Sequence, residues 1–190
     1  MKKTLLAITT LGLSLPSSNA GQPATLQPAA PSTPLYRAGE IQLDLFGVYG
    51  VGNAPVHAGP FREHAWGGGL GLNYFWTQNL GIGIDADMKH GVENALIGEA
   101  HKTIEQYTAS LIYRYPLENS ALAPYAYGGG GVTAAGQNLG SAHAGVGLEY
   151  RFAESQIGVF VDSRWTYYGD RFGKGDLNNF QFRSGVRFPF

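Results

Sequence analysis

Acids and bases recur at every second residue in several stretches of this chain. Asp85, Asp87 and Lys89 do so in one, Glu149 and Arg151 in another, and Asp162 and Arg164 in a third; Arg183 and Arg187 share a face at twice that spacing in a fourth, and Asp44 and Arg114 hold matching positions in two more. A spacing of two puts side chains on one face of a strand. Five acids and six bases gathered on one shielded face support two kinds of chemistry. They neutralise one another as a packed ion-pair network, which buried charges require. Alternatively, one pair breaks and opens a water path for ions. Arg164, Asp162, Glu149 and Arg151 fall on neighbouring stretches and are the gate residues of that second reading.

Other reactive groups are sparse. The histidines are His57, His64, His90, His101 and His143. Imidazoles converging from His64, His90, His101 and His143 at one rim would suit Zn²⁺ or haem iron. The His57–His64 spacing is a weak signal, however, and neither a metal nor another cofactor is expected. Ser141 and His143 share a face, as a hydrolase pair would, but Glu149 lies six residues along, ~20 Å away, too far to orient the imidazole. Ser110 reads as a packing residue. Gly67 to Gly69 and Gly128 to Gly131 lack the Lys-Ser/Thr that a phosphate loop requires; they read as strand glycines that permit curvature and leave room beneath aromatic rings. Gly68, Gly129 and Gly131 are expected to face outward, where they would thin the wall for a partner or lipid. The chain has no cysteine, so it has no disulfide framework or thiolate site. Its 13 Lys and Arg against 14 Asp and Glu give no reason to expect nucleic acid as a partner.

The elements that carry these residues are strands. Eight segments of about ten residues alternate apolar and polar positions, the length a tilted strand needs to cross hydrocarbon. They lie near Glu40 to Tyr49, Ala65 to Trp76, Leu80 to His90, Lys102 to Tyr115, Ala123 to Thr133, Ser141 to Phe152, Gln156 to Tyr168 and Phe180 to Phe190. The fold class is all-β: an eight-stranded antiparallel up-and-down transmembrane β-barrel. The slightly negative mean hydropathy is what half-polar strands produce. Lys2 and Lys3, the apolar run to Leu15 and Ser18-Asn19-Ala20 read as a cleavable signal over residues 1–20. Residues 21–38, with Pro23, Pro28, Pro31 and Pro34, read as an extended periplasmic tail, and residues 39–190 as the barrel.

Three features turn the apolar face toward lipid. The polar face is glycine-rich, as a narrow lumen needs. Charged residues are only 14% of the chain, too few for a solvated exterior. Aromatics form two girdles: Tyr74, Trp76, Tyr113, Tyr115, Tyr125, Tyr150, Phe152, Phe188 and Phe190 at the periplasmic ends, and Trp66, Tyr107, Trp165, Tyr167 and Phe180 at the outer ends.

This pattern, the segment Gly145-Val146-Gly147-Leu148-Glu149-Tyr150-Arg151-Phe152 and the terminal Phe190 resemble the small outer-membrane β-barrel superfamily, the group of the OmpA transmembrane domain and OmpX, from Gly39 to Phe190. The resemblance implies that Phe188 and Phe190 form the signal read by the barrel-assembly machinery, with Pro189 a departure from the commoner ending. No peptidoglycan-binding domain is expected after the barrel. The implied location is the outer membrane of a Gram-negative-type bacterium, with periplasmic termini. The implied partners are outer-membrane lipid and lipopolysaccharide, and a monomer is expected. Because this fold hosts adhesins, enzymes and plain structural barrels, it does not fix an activity. The expected role is structural or surface interaction, non-enzymatic, with recognition carried by the long loops Gly50 to His64 and Gly169 to Asn178. A small gated ion pore and an outer-leaflet lipid-modifying enzyme of the lipid A deacylase type are the alternatives.

Overall fold

The computed structural model describes residues 34–52, 64–91, 102–134, 138–169 and 177–190. The signal segment, the tail before Pro34, most of each long connection, His57 and His101 lie outside the described residues. Eight strands, β1 (Glu40–Gly52), β2 (His64–Phe75), β3 (Leu80–Gly91), β4 (Lys102–Arg114), β5 (Leu122–Ala134), β6 (Asn138–Arg151), β7 (Gly158–Gly169) and β8 (Leu177–Pro189), pair in sequence order, and β8 closes on β1. Every pairing is antiparallel. Closure leaves no strand edge, which is the condition for placing a sheet in hydrocarbon. β1, β6 and β8 run three residues further at the loop end than their apolar periodicity indicates, and residues 135–137 separate β5 from β6.

Alternation decides the two surfaces. In β1, Ile41, Leu43 and Leu45 are exposed while Gln42 and Asp44 are buried. Val146 is 61% exposed on β6, with Glu149 and Arg151 wholly buried on the other face. The exterior is therefore the oily surface and the lumen the polar one, the reverse of a soluble calyx. Among the described strand residues the outward set carries one acid, Glu105, at the loop end of β4, where Tyr107 donates its hydroxyl to it.

The aromatic assignment needs one correction. Tyr125 is not part of the girdle: it and Tyr127 are buried in the lumen. With β5 turned that way, Gly129 and Gly131 also face inward, opposite the inward Ser110 and Thr108, and it is Gly128 and Gly130 that face out. The physical reason is the hydroxyl. A tyrosine can enter a polar lumen when a carboxylate accepts a hydrogen bond from its hydroxyl, and Asp162 does so for both. The inward glycines form the floor on which such rings lie. An added Cβ at Gly145 would stand 2.4 Å from the Tyr127 ring, and one at Gly147 2.5 Å from the Tyr125 ring.

Candidate functional site: the barrel lumen

The acids and bases marked in the sequence all face the lumen, and Glu40 joins them, so six acids meet six bases among the described residues. They are arranged in layers. At the end with the short turns, Glu40 accepts from Arg114 (3.0 Å) and Arg151 (2.6 Å). Glu149 holds Arg151 (2.6 Å) and Arg187 (2.7 Å), and Arg187 reaches on to Asp44 (2.6 Å). Asn73 donates to Asp44 and Gln42 to Glu40. This chain of pairs links β1, β4, β6 and β8 across the barrel.

Residues just before β1 close the same end. Tyr36 is 3% exposed, its ring 4.7 Å from the Arg114 guanidinium and 4.2 Å from that of Arg151. Its hydroxyl donates to the Ala121 carbonyl, and Arg151 donates to the Leu35 carbonyl. Burial, ahead of the charge of Glu149, raises the hydroxyl above the ordinary tyrosine range, so it stays a donor. The sequence signal was faint: one tyrosine beside a proline-rich stretch.

Above this lies an aromatic and aliphatic layer of Phe46, Phe160, Tyr125, Tyr127 and Ile112. A second charged belt follows. Asp162 takes two bonds from Arg183 (both 2.8 Å) besides the two tyrosine hydroxyls, and Asp85 takes Arg164 (2.5 Å) and Arg183 (3.1 Å). The four residues marked as a gate are thus split between belts: Glu149 and Arg151 pair near the short turns, whereas Asp162 and Arg164 each take a partner elsewhere, Arg183 and Asp85.

The loop-end layer is different. Lys89 lies 3.0 Å from Asp87 and donates to Gln106 (2.7 Å), which also accepts from Gln181 (2.9 Å). Many of its other polar atoms lack a hydrogen bond: Gln106 Nε2, Ser141 Oγ, Thr166 Oγ1, Asn179 Oδ1 and Gln181 Oε1, while Asp87, ion-paired to Lys89, has no aligned hydrogen bond on either oxygen. In the short-turn half the corresponding set is Gln42 Oε1. An unsatisfied buried group costs ~1–3 kcal/mol.

The three described histidines do not converge. His143 points into the lumen, whereas His64 is exposed beside Tyr49, to which it is hydrogen-bonded, and His90 pairs in register with the outward Trp66. Among the described residues no group of three or more His, Cys, Asp or Glu could hold a metal. Ser110, read as packing without a histidine nearby, is bonded to His143 Nε2 at 2.8 Å. The two lie on β4 and β6 with Gly129 of β5 between them in register. The bare glycine lets the side chains meet over it, a contact that spacing along one strand cannot reveal. Ser141 is not the partner; its Oγ makes no hydrogen bond. Phe188 is half-buried and Phe190 exposed at the short-turn end, where Phe190 exchanges backbone hydrogen bonds with Ile41.

Solved structures share this architecture. Neisserial surface protein A (NspA) aligns with a TM-score of 0.65 at 13% identity, over 80% of this chain and 99% of that one. Ail, the attachment invasion locus protein of Yersinia pestis, aligns at 0.51 and 17%, over 80% and 99%. The N-terminal β-barrel domain of Pseudomonas aeruginosa OprF aligns at 0.50 and 17%, over the same shares. At these identities the likeness is one of fold. No curated protein sequence matches the chain. The family model described as the outer membrane protein beta-barrel domain matches residues 24–188, nearly the whole of the barrel and more. The chain belongs to that outer-membrane β-barrel family.

Proposed function

We propose that this chain serves the outer membrane as a closed, non-enzymatic barrel, a structural element that holds its long connections at the cell surface, with the short turns and residues 34–39 on the periplasmic side. The observation that carries this reading is the ion-pair chain Arg114–Glu40–Arg151–Glu149–Arg187–Asp44 across the short-turn end. Every charge in it has a partner, and Tyr36 covers two of its guanidiniums. Eight strands enclose an interior only wide enough for side chains, and here that interior is occupied by rings and ion pairs. A steady current would have to displace them.

The reading as a lipid-modifying enzyme finds little support in the same geometry. Ser110, Ser141 and His143 face the lumen, whereas an acyl chain meets the opposite surface. The bonded pair Ser110–His143 has no carboxylate on Nδ1 to orient it. The test is electrical. The purified full chain in planar bilayers should give no steady channel; a constant ohmic current from single barrels would overturn the reading in favour of a pore.

A further inference from the structure

Residues 34–39 cross the short-turn mouth of the lumen as a strap. Of these six residues Tyr36 alone is buried, while Pro34, Ala38 and Gly39 are exposed. The strap therefore holds on mainly by one side chain. That ring lies in a stack that alternates rings and guanidiniums. Arg114 stands 3.9 Å from the Phe75 ring and 4.7 Å from that of Tyr36, and Arg151 stands 4.2 Å from the other side of the series. Each guanidinium is attracted by the negative face of a ring. The socket is drawn from β2, β4 and β6, and the Ala121 carbonyl that accepts from the Tyr36 hydroxyl belongs to the connection from β4 to β5.

The socket does not depend on its occupant. Arg114 donates to Glu40 and to the Gln78 carbonyl. Arg151 donates to both oxygens of Glu40 and to Glu149. The Arg151 nitrogen that donates to the Leu35 carbonyl also donates to Glu40. Withdrawing Tyr36 thus strands no charge. The strap also has a point to turn on. Gly39 is tied to β2, its N–H donating to the Phe75 carbonyl at 2.7 Å. Its φ of +74° lies in the left-handed region that glycine adopts without strain. An added Cβ there would meet nothing within 4 Å, so glycine is needed for backbone conformation alone. Ahead of that pinned residue the chain is held by Tyr36, by the Leu35 carbonyl and by a long bond of 3.4 Å from the Arg37 N–H to Glu40.

We propose that residues 34–39 are a hinged stopper for the short-turn mouth, with Tyr36 as the bolt and Gly39 as the hinge, and that it opens and closes while the barrel stays intact. A few contacts hold the strap, whereas continuous ladders hold the strands. Segments held so lightly open locally, at a free energy well below that of global unfolding. Opening admits water as far as the ion pairs of Glu40 and Glu149, and the aromatic layer beyond still fills the lumen. Access to these charges is thereby a switchable property of the mouth, separate from conduction through the barrel. The test below and the bilayer recording therefore fail separately.

The chain has no cysteine, so single introduced thiols report access without background. Gln42→Cys places one behind the stopper, because Gln42 is wholly buried and donates to Glu40. Ser110→Cys places another beside His143, on the loop side of the aromatic layer. The folded full chain in detergent micelles is treated with a small water-soluble methanethiosulfonate, and the rate at each thiol is followed by mass spectrometry. At Gln42→Cys the rate should rise about tenfold when Tyr36→Ala removes the bolt, and by a similar factor when Gly39→Ala strains the closed hinge without touching the socket. Tyr36→Phe keeps the ring between the guanidiniums and should stay within about threefold of the parent. Ser110→Cys should react at one rate in all these backgrounds. A Gln42→Cys rate indifferent to both Tyr36→Ala and Gly39→Ala, or a Ser110→Cys rate that rises in step with it, would overturn the proposal.

Discussion

At the short-turn end of the lumen, each charged group meets a group of opposite charge and a ring covers the guanidiniums. At the loop end, similarly polar side chains are packed at similar depth, yet hydroxyl and amide atoms are left without partners. The two ends use one strand geometry and one alternation. They differ in side-chain reach and charge. Arginine donates through five N–H groups in a rigid fork and spans a narrow barrel to two carboxylates at once, as Arg187 does between Asp44 and Glu149. Serine, threonine and asparagine are too short to reach across, and their polar atoms stay unmatched. A barrel built this way is cross-braced where it has arginine and left with unmatched atoms where it has short polar groups.

Substitutions can break or sharpen that contrast. The largest effect is expected at Arg187→Met, which leaves buried Asp44 with Asn73 as its remaining partner and Glu149 with one arginine in place of two, and should cost ~3–5 kcal/mol in urea unfolding from lipid vesicles; a loss under ~1 kcal/mol would mean the sealed end is not held by its ion pairs. Gly147→Ala comes next. Its Cβ would meet the Tyr125 ring at 2.5 Å and Asp162 Cβ at 2.6 Å, and overpacking of that kind costs ~1–3 kcal/mol. The outward Gly130→Ala, whose nearest contact is the Ser141 carbonyl at 3.2 Å, should stay within ~0.5 kcal/mol. Tyr36→Ala removes two guanidinium–ring contacts and should cost ~1–2 kcal/mol, read in the same unfolding assay. The smaller of the two charge changes should be Lys89→Met, at ~1 kcal/mol, because Lys89 meets Asp87 in one ion pair without an aligned hydrogen bond. A loss as large as that of Arg187→Met would erase the difference between the ends.

Much of the fold was legible in residue type and period. Ile41, Leu43 and Leu45 against Gln42 and Asp44 fix one strand and its faces, and the same rule holds in β2, β3, β4 and β6 to β8. It failed in β5. Tyr125 followed by glycines offers no apolar stripe, and a tyrosine at a strand end fits a lipid girdle as well as a lumen; only the position of Asp162 two strands away decides. The lumen charges were legible as a set, since charge cannot face hydrocarbon cheaply. Their pairing was not, because register and shear bring together residues such as Arg183 and Asp85, 98 positions apart. Glu40 escaped notice at the very start of its strand, and Tyr36 sits beside a stretch that resembles a linker.

Hydroxyl-radical footprinting of the folded protein, with radicals made from water in place by X-rays and products located by mass spectrometry, tests the unequal lumen most directly. His143, whose Nδ1 is unmatched on the loop side of the charged belt, should be modified, while Phe46, Tyr125 and Phe160 on its other side should not. Equal modification of all four, or modification of the buried rings with His143 spared, would contradict the account.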